Sequence, residues 1–110
     1  VQAFRIDDLS HRLRQQNTPY LEFLRIPALS AGLYQLPAGG VDRQLPHTED
    51  EVYYVLGGRA TLQVGNEEQE VETGSLVFVA ASVEHRFHTI SQDLSVLVFF
   101  APAEDTLAVT

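Results

Sequence analysis

Neither lysine nor cysteine occurs among the 110 residues of this chain. Without lysine there is no amine for Schiff-base chemistry; without cysteine there is no thiol nucleophile, disulfide or thiolate metal site. Basic charge is also scarce. Seven arginines stand against fifteen acids, a net charge of −8 with histidine neutral, so the chain lacks the basic footprint that nucleic acid or an anionic membrane requires of a partner. No apolar run approaches the roughly 20 residues that span a bilayer, and the N-terminal VQAFRIDDLSHRLRQQ has no apolar core of a secretion signal. A soluble, cytoplasmic protein is the expectation, although a chain that starts on Val rather than Met leaves an upstream segment open. Chemistry must then come from His, Glu, Asp, Tyr or a bound ion.

The length suits one domain with one core and one site. Asp7 or Asp8 is placed to cap a short helix through Leu9, Leu13 and Gln16, and Asn17, Thr18 and Pro19 break it. From Tyr20 onward the chain reads as short strands: 20–26, 32–36, 51–56, 60–64, 68–71, 76–79, 86–90 and 94–100. Segments of this length and spacing, separated by Pro, Gly and Asn turns, predict a sandwich or barrel. Gly57-Gly58 and Gly65-Asn66 are the two expected hairpin turns. The run Val96 to Phe100 is apolar on both faces, with one face for the core and the other for a partner. The predicted organisation is a helix and lead-in strand over 1–30, a barrel over 31–101, and a patternless tail over 102–110.

His47 and Glu51 stand four apart just ahead of an alternating apolar strand, and His85 follows a second glycine-led strand. Imidazole and carboxylate are the ligands that suit Zn, Fe, Ni and Mn, and neighbouring strands converge them on one ion. On a regular strand Tyr53, Val55 and Phe87 share the inward parity of Glu51 and His85, and His88 faces out. Tyr53 is then a candidate to orient a substrate or donate a proton, against the simpler role of core filling. Glu49 lies in the turn TED, where a solvated carboxylate is the ordinary outcome, and it is also the one acid left over as a base. The Glu67, Glu68, Glu70 and Glu72 run reads as a solvated hairpin. Asp42, Glu49 and Asp50 put negative charge near the expected site.

These segments resemble the cupin superfamily, whose first motif runs from a glycine through two alternate histidines and a glutamate to a closing glycine. Here Gly39 opens it, Leu45 and His47 fall at the His positions, Glu51 at the Glu position, and Gly58 closes it. In the second motif Gly74 opens, Ala80 and Ser82 stand at the Pro and Gly positions, His85 matches the His, and Thr89 stands where Asn is usual. The resemblance implies an antiparallel jelly-roll barrel, all-β apart from the short N-terminal helix, holding one divalent transition metal ion (Fe, Mn, Zn or Ni) in its mouth. It looks like the small single-domain members. Leu45 in a His slot leaves His47, Glu51 and His85, the composition of the facial triad of non-haem Fe(II) oxygenases. Glu49 or Gln44 is the candidate fourth ligand, and Gln44 points inward only if Pro46 bends the strand.

Two functions stay open. One is a metal-dependent enzyme, dioxygenase-like or an isomerase, acting on a small organic molecule. The other is a non-catalytic ligand-binding or sensing barrel with a structural or vestigial metal. A homodimer is expected in either case, because the apolar 96–100 strand and the N-terminal strands would otherwise expose an edge.

Overall fold

In the computed structural model, which describes residues 1–108, helix α1 (Ile6–Arg14) opens the chain. Arg5 occupies the N-cap without a side-chain bond, so neither predicted aspartate is the cap. Asp7 and Asp8 sit inside the first turn and His11, Arg12 and Arg14 in the last, each sign against the opposite end of the helix dipole. Leu9 and Leu13, one turn apart, are buried against Leu33, with Leu21, Phe23, Leu56 and Leu97 packed around them. Leu97 belongs to the 96–100 run. Its second apolar face thus finds cover in the helix of the same chain, where the sequence suggested a partner.

Six strands follow: β1 (Tyr20–Ile26), β2 (Leu29–Leu36), β3 (Asp50–Val64), β4 (Glu67–Glu72), β5 (Leu76–Val79) and β6 (His85–Ala101). All pair antiparallel, in the order β1-β2-β6-β3-β4, with β5 on β3. The result is the predicted jelly-roll barrel with one short N-terminal helix. Its core contains Tyr53, Val55 and Phe87, which the strand pattern assigned inward, together with Leu62, Val96, Val98 and Phe100. Gly65 has positive φ in the β3–β4 connection, as a tight hairpin needs.

Gly57-Gly58 makes no hairpin. The segments read as separate strands, 51–56 with 60–64 and 86–90 with 94–100, are two long strands, β3 and β6, whose mutual register shifts between Val55 and Thr61. A bulge bends a strand without ending it, and glycine serves for that as well as for a turn. At Gly58 φ is +96°, and a Cβ there would collide with the Asp93 carbonyl oxygen. Gly58→Ala should therefore cost about 1–3 kcal/mol, read as a fall in the denaturant midpoint. Gly57→Ala, with nothing within 4 Å of its Cβ, is the control and should change far less.

Residues 37–49 form no ladder strand but run along β6, with the Gly39 N–H donating to the Ile90 carbonyl at 2.8 Å. The chain after β6 is ordered by contacts that its sequence did not advertise. Ala103 is buried and its N–H donates to the Pro27 carbonyl. The Glu104 N–H donates to Ser30 Oγ at 2.9 Å, and Arg25 donates to the Glu104 carbonyl at 2.7 Å. Of the predicted 102–110 tail, residues 109 and 110 lie outside the described residues. No helix among the described residues is long and apolar enough to cross a membrane.

Candidate metal centre

Glu51 is the second residue of β3, His85 the first of β6, and His47 comes from the 37–49 segment, whose end is held by the Ser82 N–H donating to the His47 carbonyl at 2.6 Å. One ligating atom from each of the three lies within 4.8 Å of the others. Glu51 and His85 are buried and His47 is half-buried, its ring edge-on to Phe100. The β3–β6 ladder explains the meeting. It runs from Asp50 opposite Ala101 to Val64 opposite His85, and at roughly 3.3 Å per residue a flat strand of that length would hold its ends on the order of 40 Å apart. The barrel curls it until Glu51, near one end, is 2.7 Å from His85 at the other.

The tautomers follow from the neighbours. His85 Nδ1 lies 2.8 Å from the Val83 carbonyl and donates to it, which leaves a lone pair on Nε2. Nε2 lies 2.7 Å from Glu51 Oε1, off the line of a hydrogen bond. Among the described residues, neither Glu51 oxygen nor His85 Nε2 has a hydrogen-bond partner. His47 differs, since its hydrogen bond runs through Nε2, which donates to the Gln44 oxygen when it carries the proton. Its Nδ1 is 3.2 Å from Glu104 Oε2, and its Nε2 is 3.2 Å from Gln44 Oε1. The Gln44 amide cannot simply be reversed, since its Nε2 donates to Asp42 Oδ2 at 2.7 Å and its Oε1 accepts from the Tyr53 hydroxyl at 3.1 Å. At Glu51 and His85, acceptors thus stand close together without partners in a buried space, at a cost that a shared proton or a shared cation removes. The oxygen and imidazole donors fit a divalent transition-metal ion. Protons compete for the same atoms. Burial lowers the proton affinity of His85, but the Glu51 contact and the Val83 carbonyl outweigh it and the net shift is upward. In His47 burial prevails and the shift is downward.

Asp42 is the residue that sequence reasoning missed. Buried at 7% exposure, it accepts from the Tyr34 hydroxyl at 2.5 Å, the Phe87 N–H at 2.8 Å, and both the backbone and side-chain nitrogens of Gln44 at 3.2 and 2.7 Å. An acid followed by polar residues in a glycine-flanked loop carries no signal of such a role. Burial, and then the Asp42 contact, push the Tyr34 phenol far above its ordinary pKa. Tyr53 is likewise held neutral, by burial first and then by the charge of Glu51. Its hydroxyl is committed to Gln44, which makes it a positioning group for that amide.

A sequence model of the family described as "Cupin domain" matches residues 32–100. The chain belongs to the cupin family. This cupin is 50% identical over 104 residues to an uncharacterized protein of Streptomyces coelicolor, covering 94% of the chain and 99% of that relative. Its fold is similar to the crystal structure of a protein of Thermus thermophilus, with TM-score 0.77, 22% identity, and coverage of 94% of this chain and 99% of the other. It is also similar to a salicylate 1,2-dioxygenase from Pseudaminobacter salicylatoxidans, with TM-score 0.77 and 15% identity, covering 89% of this chain and 34% of that enzyme. Both structural likenesses concern the fold.

In this cupin Leu45, which stands in the usual His slot, is turned out to solvent at 76% exposure. Gln44 is turned inward instead. The expectation that alternation would point residue 44 outward fails because this segment pairs in no ladder and Pro46 follows it. His88 does face outward, with Nε2 3.2 Å from Glu68 and Nδ1 2.9 Å from Thr89 Oγ1. Glu49 is neither solvated nor free to act as a base. It is 1% exposed, and its oxygens accept from the Asp105 N–H at 2.7 Å, the Leu107 N–H at 2.9 Å and the Thr48 hydroxyl. Burial raises its pKa, but these three bonds outweigh that and lower it. Of the three acids expected to charge the mouth, Asp42 and Glu49 are internally bonded, and Asp50 accepts from the Ala81 N–H at 2.8 Å.

By pinning residues 105 and 107, Glu49 sets Glu104 against His47. Glu104, Val98, Phe100, Tyr34 and Tyr20 wall a cavity of about 120 Å³ that also touches Gln44 and His47. Burial, helped by nearby Asp105, Glu22 and Glu51, raises the Glu104 carboxyl to about 7.

Proposed function

We propose that this cupin holds one divalent transition-metal ion through His47, Glu51, His85 and the Gln44 side-chain oxygen, and carries out dioxygenase-like oxidation of a small organic molecule in the adjoining cavity. The close, unpartnered Nε2 of His85 and carboxylate of Glu51 carry this reading, because a cation satisfies them together. Bound there, such an ion supplies Lewis acidity and, if redox-active, activation of O₂. The protein's part is positional. Val83 keeps the His85 imidazole in the tautomer that offers Nε2, and Glu104 stands against Nδ1 of His47. Asp42 and Tyr53 orient the Gln44 oxygen, and Val98 and Phe100 give the cavity apolar walls that exclude water. The fold likeness to a salicylate 1,2-dioxygenase supports the reaction class. Homodimerisation is part of the same proposal: Val52 with Phe78, and Tyr54 with Leu76, are ladder neighbours exposed together on the outside of the barrel.

Elemental analysis of untagged protein purified without chelator should find near-stoichiometric Fe or Mn in the native chain and little in His47→Ala or His85→Ala. Oxygen uptake with small phenols and diketones then tests turnover. Metal content that neither substitution changes would sink the assignment. A non-catalytic binding barrel is the second reading, favoured by one observation: Asp42 and Glu49 are tied up in structural hydrogen bonds, so neither is a free general base. Bound metal with no oxygen uptake would decide for it.

A further inference from the structure

Two walls of the cavity come from outside the stretch that matches the family model: Tyr20 from β1 and Glu104 from the segment after β6. Tyr20 lies across Gly32, where even a Cβ would overlap its ring and hydroxyl, so glycine at 32 is what lets the ring reach the barrel mouth. Its hydroxyl is buried and, among the described residues, has no partner. The neighbouring Tyr34 hydroxyl, by contrast, is bonded to Asp42. A buried phenol without an acceptor is rare, and it calls for an acceptor that the protein does not provide. Glu104 is complementary. One of its oxygens faces His47 Nδ1, and the rest of its acceptor capacity is open to a donor in the cavity.

We propose that the cavity selects a small, uncharged hydroxy-carbonyl compound, with the Tyr20 hydroxyl donating to the ligand's carbonyl oxygen and the Glu104 carboxylate accepting from its hydroxyl. Val98, Phe100 and the Tyr34 ring take the apolar body. With roughly 10–15 Å³ for each water-sized sphere, the cavity of about 120 Å³ holds a molecule of up to about eight to twelve non-hydrogen atoms. The inference rests on the cavity being the ligand site, as proposed above, and does not require the ion.

The test uses acetoin, 2-butanone, which lacks the hydroxyl donor, and 2-butanol, which lacks the carbonyl. Each is titrated into metal-loaded and chelated protein, with amide shifts at Val98 and Phe100 as the readout. Acetoin should bind about 5- to 10-fold tighter than either analogue, one hydrogen bond's worth in each case. Tyr20→Phe should bring acetoin down to the 2-butanol level, leave 2-butanol unchanged, and melt no lower than the native chain, since it removes an unpaired group. Equal binding of all three probes, or undiminished acetoin binding by Tyr20→Phe, would overturn the proposal. The probe series in the native chain stands even if the variant folds poorly. Discrimination that persists in chelated protein, beside a failed elemental analysis, would remove the metal assignment and leave this one intact.

Discussion

Glu51→Gln is expected to stabilise the metal-free protein and abolish metal uptake. At pH 9, where His85 carries less charge, the native chain holds Glu51 Oε1 2.7 Å from an Nε2 lone pair with nothing between them. An amide in the same place is uncharged and puts a donor beside that lone pair in place of an acceptor, a relief of about 1 kcal/mol. The same change removes the only carboxylate among the proposed ligands. Native protein given metal at about 1,000 times its dissociation constant should gain about 4 kcal/mol of stability. The variant should gain almost none. Melting curves of both proteins, chelated at pH 9 and metal-loaded at pH 7.5, give the four values needed. A variant less stable than the native chain when chelated, or stabilised equally by metal, would contradict the lone-pair argument.

Asp42→Ala should be the most damaging single substitution outside the ligands. It strands the Tyr34 hydroxyl, the Phe87 N–H and the Gln44 amide at once, in a part of the barrel where water does not replace the carboxylate. Unmaking hydrogen bonds to a buried charge on this scale costs about 3–5 kcal/mol, a large share of the roughly 5–15 kcal/mol typical of a domain. Denaturant unfolding measures it. Because Gln44 is released as well, metal affinity should fall about 10–100-fold in whatever fraction folds. Tyr34→Phe removes one partner only and should cost a fraction of that. If Asp42→Ala costs less than about 1 kcal/mol, Asp42 is not the hub of these bonds.

Much of this was legible in the sequence, and the failures share a cause. Alternation in EVYYVL and RFHTI assigned Tyr53, Val55 and Phe87 inward and His88 outward because regular ladders obey a period of two. Motif spacing brought out Glu51 and His85 on such ladders, and His47 from the loop just ahead of one. Where the ladder is broken or absent, the pattern misled. Gly57-Gly58 reads equally as a turn or a bulge, and local sequence cannot say which. Leu45 and Gln44 exchange the directions that alternation assigns them because residues 37–49 pair with no strand. Asp42, Glu49 and Glu104 escaped notice or were misplaced because the contacts that fix them include residues far along the chain, Asp42 with Phe87, Glu49 with Leu107 and Glu104 with Ser30, and single-site patterns carry no trace of such contacts.

The curled ladder of β3 and β6 has one more consequence. Since Glu51 and His85 sit at opposite ends of it, their approach measures the sum of every pairing step between. A slip of one residue anywhere along the way would turn one of the two side chains to the outer face. Capture of the proposed ion would then act as a proofreading step for the fold: only a chain that has zipped its longest ladder in the correct register, bulge included, presents both donors to the same point.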